Sequence, residues 1–412
     1  MRLPAPTRPL PLAELVLLLA ALMSMMAFSI DSVMPALPAI AEAFVPEAPS
    51  RAQLVILAFV FGTGAGQLVI GPFSDRFGRR PALVLGVGTY VLGALMALGA
   101  TSLGALLAAR LVQGLGAAGS RVVSQAVMRD LFSGRAQARV GSLVFTFFVM
   151  VPAVAPFIGQ QVIAQTGWRG LFWVYVAMGG AVLGWFLLRQ PETLTETNRR
   201  PFRLAPVLRA MAEVLRQPVA RRYLIVSTLG FGQLMAYIAS AQQVFAGAFG
   251  VGERFPLYFA IIALISAGSG FLNARLVMHL GMRPMAMVAF GAQIGLAGAF
   301  WALWASGAVE ALAPGLSLGL FLGWSVTLFF MNGLTFGNIT ALAMEPLGHI
   351  AGTASAVIGA LSSVGGVFIA LPIGQAFDGS PRPLALGVAL CSALAFALVW
   401  GDRKRDRFAE AG

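Results

Sequence analysis

Read for its apolar and polar positions, the chain falls into twelve long apolar runs separated by short polar connections. The runs cover residues 12–37, 51–73, 82–101, 103–125, 138–163, 168–188, 222–247, 255–275, 284–304, 313–342, 351–375 and 383–400. Most are near the ~20 residues that cross about 30 Å of hydrocarbon as a helix. Inside lipid every backbone polar group needs a partner within the protein, which leaves helices or a closed barrel. Uninterrupted apolar runs fit helices and not the alternation of barrel strands. The pattern predicts an all-α membrane protein with twelve transmembrane helices. Arg2 and Arg8 precede the first run, and Ala39-Ile40-Ala41 mimics a signal-peptide cleavage site. That run is nevertheless longer than the ~7–15 residues of a signal-peptide core, so it reads as the first span.

The longest polar stretch, 189–221, divides the chain into two halves of six spans, 1–188 and 222–412. Within it, residues 204–217 read either as a helix along the inner membrane surface, apolar on one side and basic on the other, or as a plain linker. The halves echo each other. Gly78-Arg79-Arg80-Pro81 follows the second run, and Gly281-Met282-Arg283-Pro284 follows the eighth, 203 residues later. A duplicated six-helix unit predicts such an offset, and two such halves suit alternating access.

Composition agrees. Of 412 residues, 58 % are hydrophobic and 11 % charged, against about 25 % charged in soluble domains. The net charge of +12 would suit a nucleic-acid binder, but no such motif is present and the charge is distributed by loop. With the N-terminus inside, 22 of the 28 basic residues fall on inside segments, including Arg2, Arg8, Arg200, Arg403, Lys404, Arg405 and Arg407. Only Arg51, Arg169, Arg254 and Arg382 fall outside, and Arg110 and Arg121 lie within a span. This asymmetry puts both termini in the cytoplasm. The one cysteine, Cys391, excludes a disulfide within the chain, and His279 and His349 are too isolated for a metal site. No metal and no cofactor is expected. Without a nucleotide-binding loop or a cluster of His, Cys or carboxylates at a water boundary, neither an ATP-driven pump nor an enzyme is expected.

Four groups of residues carry candidate chemistry. The first is the dense stretch Gly71-Pro72-Phe73-Ser74-Asp75-Arg76-Phe77-Gly78-Arg79-Arg80-Pro81, read as a short charged loop. Gly71 and Gly78 permit a sharp turn and close helix approach, and Asp75 can pair with Arg76, Arg79 or Arg80. The loop reads as an inner-side latch between the halves, or as positive-inside anchoring alone. In the second copy Met278 and His279 replace Asp75 and Arg76, which predicts a weaker latch. The second group is Asp31 with Arg110. Asp31 is the one acidic residue well inside a run, roughly 10 Å below the outer boundary at about 1.5 Å per residue. Arg110 falls at a similar depth in the fourth run. The pair reads either as a proton site or as a structural ion pair. Burial disfavours a charged carboxylate and a nearby guanidinium favours it, so weakening the pairing would let a proton bind. Arg121, eleven residues on, shares the face of Arg110 with Gly114 and Ala118 between them; it suits an inner gate or plain anchoring. The third group, Pro152, Pro156 and Gly159, lies on one face of the fifth helix, kinked and closely packed. Fourth, Glu345 lies in an inner loop and either pairs with basic residues of the other half or only shapes the turn.

These motifs resemble the major facilitator superfamily. The loop at 71–81 is similar to its signature loop. Arg110-Leu111-Val112-Gln113-Gly114-Leu115-Gly116-Ala117-Ala118-Gly119, running on to Arg129-Asp130, is similar to its arginine segment. Pro152-Ala153-Val154-Ala155-Pro156-Phe157-Ile158-Gly159 resembles the motif of its antiporter branch, with Gln160 where a second small residue is usual. Gly352-Thr353-Ala354-Ser355-Ala356, and Asp31 ahead of Pro35-Ala36-Leu37-Pro38, resemble the twelve-span drug/proton antiporters of the bicyclomycin- and chloramphenicol-resistance type. The resemblance implies a monomeric, proton-driven exporter in the bacterial inner membrane, with helices one, four, seven and ten lining a cavity and a membrane carboxylate carrying the proton. Met25, Met26 and Phe28, then Gln233, Tyr237 and Gln242, then Asn332, Thr335 and Asn338 are the cavity candidates. As a set they suit an amphipathic, uncharged or weakly cationic drug. An exporter of a metabolite, such as an amino acid or short peptide, would use the same motifs. A proton-driven importer fits the proline-glycine segment less well, and a non-transporting scaffold would need no carboxylate facing an arginine.

Overall fold

A computed structural model describes residues 10–199 and 201–409. Of the inside charges counted above, Arg2, Arg8 and Arg200 lie outside the described residues, as do the side chains of Arg403, Lys404, Arg405 and Arg407. The first span begins with α1 (Leu12–Asp31), passes a turn and the 3-10 segment Met34–Ala36, and finishes as α2 (Leu37–Phe44). Then come α3 (Leu54–Phe77), α4 (Arg79–Leu98), α5 (Leu103–Leu131), α6 (Gly134–Thr166) and α7 (Gly170–Arg189). A short amphipathic helix, α8 (Ala205–Arg216), precedes α9 (Pro218–Gly247), α10 (Phe255–Leu280), α11 (Met282–Ala305), α12 (Pro314–Met344), α13 (Ala351–Gln375) and α14 (Arg382–Ala409). Among the described residues, eleven apolar helical stretches are long enough to cross a membrane. The longest, Pro314–Gln375, is two helices joined by the 3-10 segment Glu345–Ile350, so the spans number twelve. Outward-facing apolar side chains such as Phe271, 77 % exposed, mark surfaces made for lipid.

The chain forms two compact units, Met1–Val207 and Leu208–Gly412. In the first, α5 is central and packs against α3 and α4. Small residues allow the approach. A methyl group on Gly62 or Gly66 would strike the α5 backbone at Leu111 or Leu115, and one on Gly116 would strike Tyr90 of α4. Without a hydrophobic drive between helices in lipid, this close contact is what holds them. α6 packs along α1, and α7 along α4. In the second unit α9 packs on α13, α10 on α12 and α11 on α14. The second and fourth spans of each unit pair, and so do the first and fifth, as a duplicated unit requires.

Two readings need correction. The first span is not one helix ending near residue 37. It breaks after Asp31 and runs on to Phe44, so Asp31 sits deeper below that end than the sequence placed it. The charged stretch is not a loop either. α3 continues through Pro72 to Phe77 and α4 starts at Arg79, so Gly78 alone makes the turn. Gly71 lies within α3, with nothing within 4 Å of where a Cβ would be, and brings no helix closer.

Gly78 has φ 104 and ψ 166, and its counterpart Gly281 has φ 81 and ψ 163. Such angles are open in practice only to glycine, which is why the repeat kept Gly-x-Arg-Pro. At Gly78 a Cβ would also lie 2.6 Å from Glu192 Oε2, whereas at Gly281 it would meet only Pro284 at 3.8 Å. Gly281→Ala therefore isolates backbone strain, about 1–3 kcal/mol, and Gly78→Ala adds displacement of the carboxylate. Thermal unfolding in detergent is expected to show both variants lowered, with Gly78→Ala the lower; equal shifts would deny the Glu192 contact any weight.

Candidate functional site

The end of α1 carries a buried polar cluster. Ser29 and Ser32 return their hydroxyls to the carbonyls of Met25 and Phe28, which leaves each oxygen free to meet a second partner. Ser29 meets the Tyr90 hydroxyl of α4 at 2.7 Å, and Ser32 meets Tyr175 of α7 at 2.8 Å. The two tyrosine rings lie edge to face, 6.4 Å apart, and Phe28 meets Tyr175 at 6.1 Å. Arg110 of α5 is fully buried beneath them. Its Nη2 donates to Ser29 O at 2.9 Å, its Nε to Val55 O at 3.1 Å and its Nη1 to Gln113 Oε1 at 2.8 Å. Its guanidinium stands 4.4 Å from the centre of the Phe59 ring, a cation–π contact.

Arg110 of α5 thus meets α1 two residues before Asp31, but the two form no salt bridge among the described residues. Arg110 spends its donors on carbonyl and amide oxygens, and the Asp31 carboxylate, 4 % exposed, makes no ion pair or hydrogen bond among the described residues. A buried acid committed to no partner can take up and release a proton without first breaking a bond. The backbone beside it is held from outside. Gly159 of α6 lies so close that a methyl group there would collide with the Ser32 carbonyl. Pro156 and Gly159 are buried, Pro152 is half-buried, and Phe157 and Ile158 face away, so the three share one face against α1.

The cavity candidates scatter. Met26 and Phe28 are partly exposed, whereas Met25 is sealed in the core. Tyr237 donates to Ser325 Oγ at 2.8 Å, Gln233 accepts from Ser392 at 3.0 Å, and Gln242 reaches Gly252 O at 3.4 Å. Asn332 and Thr335 bond back to carbonyls of their own helix, and Asn338 donates to Asn273 of α10 at 2.8 Å.

At the arginine-rich end of the first unit, Arg79 is buried between two carboxylates. It meets Asp75 at 2.7 Å and Ser74 at 3.0 Å, and forms two bonds to Asp130 at the end of α5, at 2.8 and 3.1 Å. Glu192, in the segment after α7, caps α4: its carboxylate accepts the backbone N–H of Arg79 at 2.8 Å and of Arg80 at 3.0 Å. An anion at a helix N-terminus meets free N–H groups and the positive end of the dipole. Arg80 Nη1 donates to Gln190 O at 2.6 Å. Arg76 is exposed, and it and the half-exposed Arg121 make no ion pair among the described residues.

The second unit has a charge cluster of its own near Gly281. Asp402, 2 % exposed near the end of the last span, binds Arg222 at 2.5 Å, Arg283 at 3.1 Å and the Tyr223 hydroxyl at 2.9 Å. Glu345 pairs with Arg283 at 3.5 Å within this same unit. Asp130, Glu192 and Asp402 all escaped the reading from sequence. Asp130 had a visible signal, closing the arginine segment as Arg129-Asp130. Asp402 was hidden in a tail that otherwise looked like basic topogenic charge.

A sequence profile described as Major Facilitator Superfamily matches residues 17–370. The chain belongs to that superfamily. Among similar proteins of this transporter family is a bicyclomycin resistance protein homolog of Haemophilus influenzae, 30 % identical over 92 % of this chain and 94 % of its own. Another is a chloramphenicol resistance protein of Pseudomonas aeruginosa, 29 % identical over 86 % of this chain and 82 % of its own. The crystal structure of a D-xylose–proton symporter shares the fold with a TM-score of 0.72 at 16 % identity, over 93 % of this chain and 97 % of that one. This is a multi-pass membrane transporter of the drug-resistance type within the superfamily, not an enzyme.

Removing one partner of a buried ion pair costs about 3–5 kcal/mol. Asp402→Asn removes the buried carboxylate shared by Arg222, Arg283 and Tyr223, and is expected to lower the unfolding temperature more than Glu345→Gln, which removes an exposed carboxylate from Arg283 alone. Side-by-side melting of the two variants checks this; an equal loss would make Asp402 an ordinary surface acid.

Proposed function

We propose that this transporter exports small amphipathic drugs, uncharged or weakly cationic, in exchange for protons by alternating access. The reading carries with it a bacterial inner-membrane location, both termini in the cytoplasm, a monomer, and two six-helix halves, 1–188 and 222–412, joined by 189–221. The observation that carries it is Asp31, a carboxylate buried in a span and committed to no partner, at the break of the first helix and one residue from a backbone group clamped by Gly159.

The residues then divide the work. Asp31 binds the proton. Arg110 fixes the end of α1 without neutralising the acid, because its donors go to Ser29 O, Val55 O and Gln113. Ser32 transmits the state of its neighbour to α6 through Gly159 and to α7 through Tyr175. Phe28 and Met26 offer an adaptable apolar surface beside the acid. The bicyclomycin and chloramphenicol resistance named for the relatives points to drug efflux over export of a metabolite.

Proteoliposome counterflow and pH-driven transport test the reading, with a panel that includes an amphenicol and a lipophilic cation. Wild type is expected to move substrate against an imposed proton gradient. Asp31→Asn is expected to keep substrate exchange and lose its dependence on the gradient; a variant that still couples would place the proton elsewhere. If nothing in the panel moves even by counterflow, export of an amino acid or short peptide takes precedence. Gly159→Val is expected to lower the exchange rate of Asp31→Asn as well as that of wild type, because the clash with Ser32 is steric and independent of charge; exchange left intact would dismiss the contact.

A further inference from the structure

A groove of about 240 Å³ opens in the second unit between α8, α9 and α13. Leu215, at the end of α8, forms its rim. Leu224 and Thr228 of α9 make one wall, and Leu361 and Ile369 of α13 the other. The one polar group among these side chains, the Thr228 hydroxyl, is already bonded to Leu224 O at 2.8 Å. Nothing in the walls can bind a polar ligand, so the groove suits a hydrocarbon chain.

The rim is different. α8 ends at Arg216, which is exposed, and Arg221 in the first turns of α9 lies with Nη1 3.4 Å from Leu215 O, the carbonyl of the rim residue itself. Neither guanidinium makes an ion pair among the described residues. Arg222, the next residue, is by contrast fully engaged with Asp402 at 2.5 Å. The rim is also held in place. α8 buries Ala210 and Val214, and its Glu213 meets His349 of the segment after α12 at 2.8 Å. Two cations that make no ion pair among the described residues therefore flank the rim residue Leu215 of an apolar slot, Arg216 as its neighbour at the end of α8 and Arg221 from the start of α9.

We propose that this groove binds one acyl chain of an anionic phospholipid, with the headgroup phosphate on Arg216 and Arg221. The charge complementarity selects the lipid class and the slot selects a chain over a free anion. A basic side chain at a membrane surface is worth roughly a fivefold preference for anionic lipid, so the two together give more than about tenfold.

The test is native mass spectrometry of the full-length protein, delipidated in detergent and titrated with dioleoyl phosphatidylglycerol or dioleoyl phosphatidylcholine. Wild type is expected to retain one phosphatidylglycerol in preference to phosphatidylcholine. The double variant Arg216→Gln, Arg221→Gln is expected to lose that preference about tenfold while still holding either lipid weakly, and the double lysine variant to restore it. Ile225, on the α9 wall beside Leu224, also lines the groove; Ile225→Trp adds bulk there and is expected to weaken both lipids without touching the arginines. Thermal unfolding of each variant confirms that it is folded. An unchanged lipid preference in the double glutamine variant overturns the assignment of the headgroup. Unchanged retention in Ile225→Trp overturns the assignment of the chain. Displacement of phosphatidylglycerol by millimolar inorganic phosphate would make the site an anion site and defeat the lipid proposal.

Discussion

Arg110 is the constraint on which the first unit is built. A full charge at complete burial must find partners for its donors or it will not stay buried. Here the partners are mostly main-chain carbonyls, one from α1 and one from α3, reached from α5. Three helices are therefore fixed to one another at a single point, and the glycine contacts of α5 bring them near enough for the bonds to close. Because carbonyls answer the charge, the nearby acid is not spent in answering it. The freedom of Asp31 and the rigidity of its surroundings have the same origin.

The two units show how a duplicated fold keeps a turn and replaces what surrounds it. The glycine turns at 78 and 281 have nearly the same backbone, because no other residue fits there. Around the first turn, the carboxylates come from α3, the end of α5 and the segment after α7. Around the second, they come from the end of α12 and from α14. Asp75 and its partner Arg79 are both replaced by methionine in the second copy, Met278 and Met282, whereas Arg283, the counterpart of Arg80, is answered by Asp402 and Glu345.

What was legible in the sequence was what depends on local pattern. Twelve spans follow from run length, the tight turn from Gly-x-Arg-Pro, and the shared face of Pro152, Pro156 and Gly159 from spacing of four and three. Asp31 and Arg110 stood out because ionised side chains are rare in lipid. What was not legible depends on distance across the fold. The break after Asp31 is the exception, because it has a local signal: Pro35 has no N–H to bond the Asp31 carbonyl and its ring crowds that carbonyl. Glu192 caps a helix that begins 113 residues earlier, and no helical spacing reveals such a partner. The orientation of the cavity candidates is not legible for a related reason. Polar residues on a span can bond back to their own helix, as Asn332 and Thr335 do, so polarity alone does not say which way a residue faces.

The position of Asp402 bears on how the protein is made. Its partner Arg222 lies 180 residues earlier in the chain. During synthesis the first unit can complete its charge cluster as soon as the segment after the sixth span emerges. The second unit enters the membrane with Arg222 waiting, because Arg283 already has Glu345, and only the last helix brings the acid that answers Arg222. The last contact of that charge cluster therefore closes only when the chain is nearly finished, and a product cut short before the final turns would leave Arg222 without its carboxylate.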